Sequence, residues 1–99
     1  MDTKYLVVDN DVDNSESYSQ AVALLKSGEV VAFPTETVYG LGAVATNDEA
    51  VKKIFVAKGR PSDNPLIVHI GTKDELKNYV ADIQPVAQKC IDAFWPGPL

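Results

Sequence analysis

The sequence predicts an α/β fold, in which short strands alternate with helices along a chain of 99 residues. Three observations support this class. Short runs rich in β-branched and aromatic residues occur at residues 5–8, 30–33 and 66–70. Apolar residues recur at helical spacing between these runs, and glycine or proline stands near most of the junctions. Alternation of this kind is typical of a sheet with crossover helices.

The first two helices are predicted from their start and end signals. The first should begin at Ser17, which heads a capping-box pattern with Gln20, and end at Gly28. The second should begin near Thr46 or Asn47. It should end at Gly59, and its buried stripe should consist of Ala50, Val51, Ile54 and Phe55.

Two further helices are predicted near the C-terminus. A short one should start around Thr72 and Glu75, and a last one should carry Pro85 in its first turn. The spacing places six residues on one side of the last helix: Ile83, Val86, Ala87, Cys90, Ile91 and Phe94.

Composition limits the class of protein. The chain is 45% hydrophobic with a net charge of −5, which fits a single globular domain over residues 1–99 with no internal boundary. No apolar run approaches the roughly 20 residues that span a bilayer. The N-terminus lacks the pattern of a secretion signal, and the single cysteine, Cys90, suits a reducing cytosol. A cytoplasmic protein is therefore expected.

Several common motifs are absent from the sequence. No Gly-Lys-Ser or Gly-Lys-Thr is present, so there is no Walker-type phosphate loop. Gly40 and Gly42 only loosely echo a dinucleotide-binding fingerprint. With one histidine and one cysteine, a metal site rich in those ligands is implausible, and no serine-hydrolase pattern is present.

Residues 33–42, with the sequence FPTETVYGLG, follow directly on a predicted strand. Thr35 and Thr37 can each donate and accept hydrogen bonds, while glycines allow the backbone to approach a ligand closely. Loops at strand ends often carry ligand contacts in α/β proteins. A tight connection in which the threonines cap backbone groups explains the same residues equally well.

A second cluster follows the second predicted helix. Lys58 and Arg60 flank a glycine, and Ser62 and Asn64 follow between two prolines. A guanidinium binds phosphate or carboxylate oxygens as a fork and an ammonium acts as a point charge, so the cluster suits an anionic ligand such as a triphosphate. Alternatively, Lys58 only stabilises the C-terminus of the helix through the helix dipole, and Arg60 only pairs with Asp63 at the surface.

These two clusters and a third stretch closely resemble the YrdC-like family, the threonylcarbamoyl-AMP synthases. The resemblance rests on residues 33–42, on Lys58-Gly59-Arg60-Pro61 followed by Asn64-Pro65-Leu66, and on residues 94–99 (FWPGPL), and it runs in register from about residue 21 to 99. It implies a twisted α/β sheet with flanking helices, partly curled around a positively charged cavity. The chain would be an incomplete, N-terminal part of that fold, because family members continue into further strands and a downstream Ser-x-Asn motif.

The resemblance also implies an activity. Family members are nucleotidyltransferases that condense L-threonine, bicarbonate and ATP to threonylcarbamoyl-AMP and pyrophosphate, with Mg²⁺ expected on the phosphates. Partner proteins then pass the threonylcarbamoyl group to adenosine 37 of tRNA. The 99-residue chain alone is expected to be inactive. Two alternatives remain: a YrdC-like segment of a carbamoyltransferase, and an RNA-binding module, against which the net charge of −5 argues.

Site roles follow from the resemblance position by position. Thr35 matches a threonine that contacts the amino-acid substrate, and His69 matches a strand histidine near it. Lys58 and Arg60 match a pair that faces the nucleotide and carboxylate groups, and Ser62 lies beside them as a phosphate contact. Three residues are expected to shape the pocket: Thr37, Tyr39 and Asn64.

Overall fold

The computed structural model describes residues 2–61 and 65–97. The chain forms two compact units, Met1–Pro65 and Leu66–Leu99. The first unit contains α1 (Ser15–Lys26), β1 (Val31–Phe33), β2 (Gly40–Gly42) and α2 (Asp48–Lys58). The second contains a 3₁₀ helix (Lys73–Asn78) and α3 (Pro85–Phe94). One undivided domain stays a prediction.

The first unit is built around an antiparallel β-hairpin. Phe33 pairs with Gly40 at the closed end of the hairpin, and Val31 pairs with Gly42 at the open end. α1 packs against β1 and α2 packs against β2. The buried apolar side chains described lie on α2 and are Ala50, Ile54 and Phe55, so the predicted buried stripe is confirmed apart from the half-buried Val51.

Two glycines end the helices of the first unit, as predicted. Gly28 has a φ of 88° and Gly59 a φ of 65°, in the left-handed region that a side chain disfavours. After α2, the N–H of Arg60 donates to the carbonyl of Phe55 at 3.1 Å and the N–H of Gly59 to that of Val56 at 3.3 Å. The same pair of bonds closes α1, which satisfies carbonyls that the helix itself leaves without partners.

The start of α2 confirms the sequence prediction, whereas the start of α1 differs from it. The side chain of Asn47 accepts a hydrogen bond from the N–H of Ala50 at 3.1 Å and so caps α2. α1 begins at Ser15, two residues before the predicted Ser17. The Ser17 hydroxyl donates instead to the carbonyl of Val7 at 2.8 Å, which ties the N-terminal segment to the helix.

Lys53 links α2 to the end of α1. Its Nζ donates to the carbonyl of Gly28 at 2.9 Å and lies 3.2 Å from Oε1 of Glu29. A cation is favourable at a helix C-terminus, where the backbone carbonyls lack partners. The pair is half-exposed, so its main effect is to hold the two helices in one arrangement.

The second unit places its helices where they were predicted but buries little. Pro85 is the first residue of α3, and the N–H of Gly71 donates to Glu75 at 3.2 Å beside the 3₁₀ helix. Within residues 66–97, no side chain is buried: Val86 is 74% exposed and Phe94 is 68% exposed. The apolar side predicted for α3 is therefore not a core face within the described unit.

The predicted strands at residues 5–8 and 66–70 are wrong in this structure, and both segments are extended or irregular. A strand requires a hydrogen-bonded neighbour, and the described residues pair only β1 with β2. The sheet is accordingly antiparallel, without the expected crossover. The sequence pattern predicts a loop over Gly40–Gly42, since glycine has a low strand propensity, whereas these residues form the second strand of the hairpin. No helix in the described ranges combines the length and apolar character needed to cross a bilayer.

Candidate active site

The connection between β1 and β2, residues 34–39, is organised by Thr35. Its Oγ1 donates to the carbonyl of Val38 and accepts from the N–H of Thr37 at 3.2 Å. The Oγ1 atoms of Thr35 and Thr37 lie 3.5 Å apart. The threonines therefore do cap backbone groups, as the second of the two interpretations required. Because the single hydroxyl proton of Thr35 is used inside the connection, this side chain can face a ligand only as an acceptor.

The same connection is also an accessible surface. Val38 is 75% exposed and Tyr39 is 76% exposed, so the capped connection leaves apolar and phenolic groups available for contact. The two interpretations of residues 33–42 are thus compatible: hydrogen bonds within the connection fix its shape, and that shape presents side chains outward. The pocket-shaping roles of Thr37 and Tyr39 stay predictions.

Gly40 and Gly42 have a packing role that the sequence did not predict. A Cβ atom on Gly40 would lie 2.9 Å from the Cε2 and Cζ atoms of Phe33, and one on Gly42 would lie 2.9 Å from its Cε1. The Phe33 ring therefore occupies the face of β2 that the two glycines leave bare. The close approach that these glycines allow is therefore made by a side chain of the protein itself, in contrast to the ligand contact that the sequence pattern predicts.

Lys58 and Arg60 are the two cations that the sequence predicts to bind an anionic ligand. Lys58 is the last residue of α2, Arg60 follows Gly59, and both side chains are exposed. Within residues 2–61 and 65–97, the ion pairs involve Lys52 and Lys53, whereas Lys58 and Arg60 have no acidic partner. Two exposed cations at this spacing suit an anionic ligand.

The predicted roles of three other residues stay predictions. His69 has an exposed side chain in the second unit, and its role beside the threonine substrate stays a prediction. Ser62 and Asn64 lie outside the described residues, as does Asp63, the alternative partner of Arg60.

The described residues do not provide a metal centre. Within residues 2–61 and 65–97, no three histidine, cysteine, aspartate or glutamate side chains come together in a way that could hold a metal ion. The expected Mg²⁺ therefore has no ligand group of this kind among the described residues.

Sequence reasoning missed Phe33 and Lys53. A signal for Phe33 was present, since glycines at alternate positions lie on one face of a strand and leave room for an aromatic ring from a neighbour. Lys53 gave no such signal, because its acceptor is a backbone carbonyl 25 positions away along the chain.

Comparison with protein families identifies the group to which this chain is related. The Sua5/YciO/YrdC family model, which carries the description "Telomere recombination", matches residues 23–99. The chain belongs to this family. The resemblance drawn from the three sequence stretches is thereby confirmed.

Two threonylcarbamoyl-AMP synthases are highly similar to this chain. It is 55% identical over 93 residues to the threonylcarbamoyl-AMP synthase of Bacillus subtilis, an alignment that covers 94% of this chain and 27% of that protein. It is 53% identical over 79 residues to the threonylcarbamoyl-AMP synthase of Pyrococcus abyssi, with 80% and 23% covered. The chain therefore spans about a quarter of the length of these relatives.

A solved structure of the family has the same fold over the matched region. The crystal structure of P. abyssi Sua5 complexed with L-threonine superposes with a TM-score of 0.78 at 49% identity, and the match covers 84% of this chain and 24% of that one. The predicted α/β, YrdC-like fold class is thus confirmed for this partial chain.

Proposed function

We propose that the protein containing this chain is a threonylcarbamoyl-AMP synthase, which condenses L-threonine, bicarbonate and ATP. The observation that carries the proposal is the 55% identity to the B. subtilis enzyme of that name over 94% of the chain. The L-threonine bound in the crystal of P. abyssi Sua5 supports threonine as a substrate here too.

The proposed reaction needs charge neutralisation more than covalent help. The threonine amine attacks the carbon of bicarbonate, and a carbamate forms with loss of water. A carbamate oxygen then attacks the α-phosphorus of ATP, and the bond to the bridging oxygen breaks with release of pyrophosphate. Each reactant is anionic or carries a carboxylate, so fixed cations that bring them together lower the barrier through positioning and electrostatic stabilisation.

Residues of this chain fit distinct parts of that task. Lys58 and Arg60 supply exposed positive charge without acidic partners among the described residues, which suits the ATP phosphates. Ser62 would add a phosphate contact. Thr35, an acceptor once its proton is used by Val38, suits the N–H donors of the amino group of the threonine substrate, with His69 contributing to the same subsite. Mg²⁺ stays a prediction of the resemblance, and no step of the reaction is assigned to it.

The product has a place in tRNA modification. Threonylcarbamoyl-AMP is an activated acyl donor, and we propose that partner proteins transfer its threonylcarbamoyl group to adenosine 37 of tRNA in the cytoplasm. The net charge of −5 on this chain argues that tRNA is bound by those partners or by other parts of the protein.

The substrate requirement provides the first test. We expect the protein containing this chain to release pyrophosphate from ATP only when threonine and bicarbonate are both present, because the carbamate is the attacking group. The measurement is a coupled pyrophosphate assay with each reactant omitted in turn, with serine as the matched control for threonine. Equal release without threonine would show that the proposed function is wrong.

The isolated 99-residue chain provides a second test. We expect a rate at least about a hundredfold below that of the longer protein, because exposed cations in contact with water stabilise charge far less than cations in an enclosed site. The same pyrophosphate assay, run on both proteins at equal concentration, measures the ratio. Comparable rates would mean that residues 1–99 hold a complete active site.

A further inference from the structure

The ring of Phe33 lies where it can fix the conformation of the connection between β1 and β2, which contains Thr35. Phe33 pairs with Gly40 in the last register position before the connection, so this pair joins the two ends of residues 34–39. The ring then covers both Gly40 and Gly42, since a Cβ atom on either would lie 2.9 Å from a ring atom. The ring therefore packs against the bare backbone of β2 next to the closed end of the hairpin.

The hydrogen bonds within the connection require the two strand ends to stay close together. Thr35 is two residues beyond Phe33, and Val38 is two residues before Gly40. The hydrogen bond from Thr35 Oγ1 to the Val38 carbonyl spans the connection, and the bond from the Thr37 N–H to Thr35 Oγ1 at 3.2 Å completes it. If the strand ends separated, the Val38 carbonyl would move away and the Thr35 hydroxyl would be free to rotate.

We propose that Phe33 is a positioning residue, which holds the Oγ1 atom of Thr35 in place as an acceptor for the substrate by seating its ring on the glycine backbone of β2. The inference rests on the proposed function, in which Thr35 contacts threonine. Phe33 touches no reactant itself; its effect reaches the substrate through Gly40, the connection and Thr35. Displacement of a substrate contact by about 1 Å is enough to reduce a rate by up to a hundredfold.

The experiment adds a methyl group under the ring and then removes the ring atoms that it meets. In Gly40→Ala, the new Cβ meets Cε2 and Cζ of Phe33 at 2.9 Å, so the ring or the strand must shift. Leucine has no atoms at those positions, so the double variant Phe33→Leu/Gly40→Ala relieves the conflict. Gly71→Ala is the matched control, because a Cβ atom there meets only Oε1 of Glu75, at an ordinary 3.5 Å.

Two readouts are taken on the longer protein. In pyrophosphate assays, we expect Gly40→Ala to raise the KM for threonine on the order of tenfold and to leave the KM for ATP within about twofold. The double variant should recover most of the loss, whereas Gly71→Ala should change neither constant. By NMR, the N–H of Thr37 should exchange faster with solvent in Gly40→Ala and slow again in the double variant.

The outcomes separate this inference from the proposed function. Parallel increases in both KM values, a double variant no better than Gly40→Ala, or unchanged exchange at Thr37 would each overturn the positioning role. If the unsubstituted protein shows no threonine-dependent reaction, the proposed function fails. The exchange rates at Thr37 then still decide whether Phe33 controls the shape of the connection.

Discussion

Replacing Arg60 by alanine is expected to weaken ATP binding about tenfold, and replacing Lys58 by alanine is expected to do the same. A charge-assisted hydrogen bond contributes roughly 1.5–3 kcal/mol when it is shielded from water, which corresponds to about 10- to 100-fold in affinity. Both side chains are exposed in the described structure, so the lower end of that range applies. Binding can be measured by isothermal titration calorimetry with a non-hydrolysable ATP analogue.

Lys52→Ala is the control for these variants. Lys52 lies on the same helix and is also exposed, but it pairs with Glu49 at 3.2 Å, so its removal should leave ATP affinity unchanged. Arg60→Lys keeps the charge and loses the guanidinium fork, and should fall between the alanine variant and the original protein.

The helix-end alternative predicts a different result for Lys58. If this lysine acts only on the helix dipole, Lys58→Ala would lower the free energy of unfolding by about 0.3–1 kcal/mol and leave ATP binding intact. Normal ATP affinity in both the Lys58 and Arg60 alanine variants would therefore show that these two cations do not bind ATP.

Truncation of Phe55 is expected to cause the largest loss of stability. Phe55 is 8% exposed and lies beside Ala50 and Ile54 on the buried face of α2, and removal of a buried phenylalanine side chain costs about 3–5 kcal/mol. A loss of that size is a large fraction of the 5–15 kcal/mol by which domains are stable. Urea denaturation of Phe55→Ala, followed by circular dichroism, measures the change.

Val56→Ala is the matched control on the neighbouring position. Val56 is 82% exposed, so its truncation should change the free energy of unfolding by no more than about 0.5 kcal/mol. If the two variants were equally stable, the buried face of α2 would not be the core of the first unit.

Local signals in the sequence predicted the parts of the fold that depend on neighbours along the chain. The glycines at 28 and 59 and the proline in the first turn of α3 each act within one turn of a helix, and all three were predicted correctly. The start of α2 was predicted near Thr46 or Asn47, and the structure places the cap at Asn47. The same applies to the buried residues of α2, because a helical period places them on one face whatever lies opposite.

The sheet could not be predicted in the same way, because pairing depends on partners that are distant along the chain. Residues 5–8 and 66–70 have strand-like composition and no hydrogen-bonded strand neighbour among the described residues. Gly40–Gly42 lacks strand-like composition but is paired with β1. In the candidate site, the residue types indicated anion chemistry, but the bonds of Thr35 and the position of the Phe33 ring are properties of three-dimensional packing.

The residue between the two cations must adopt a left-handed backbone conformation, and the cost of that conformation depends on the chirality of the residue. An L-residue with a side chain pays about 1–2 kcal/mol in that region, whereas its mirror image would favour it. A D-amino acid could therefore replace Gly59 without disturbing the turn, although none is encoded genetically. The turn after α2 is closed by the hydrogen bond from the Arg60 N–H to the Phe55 carbonyl. Glycine is required there because of its backbone conformation, and its small size is not the reason.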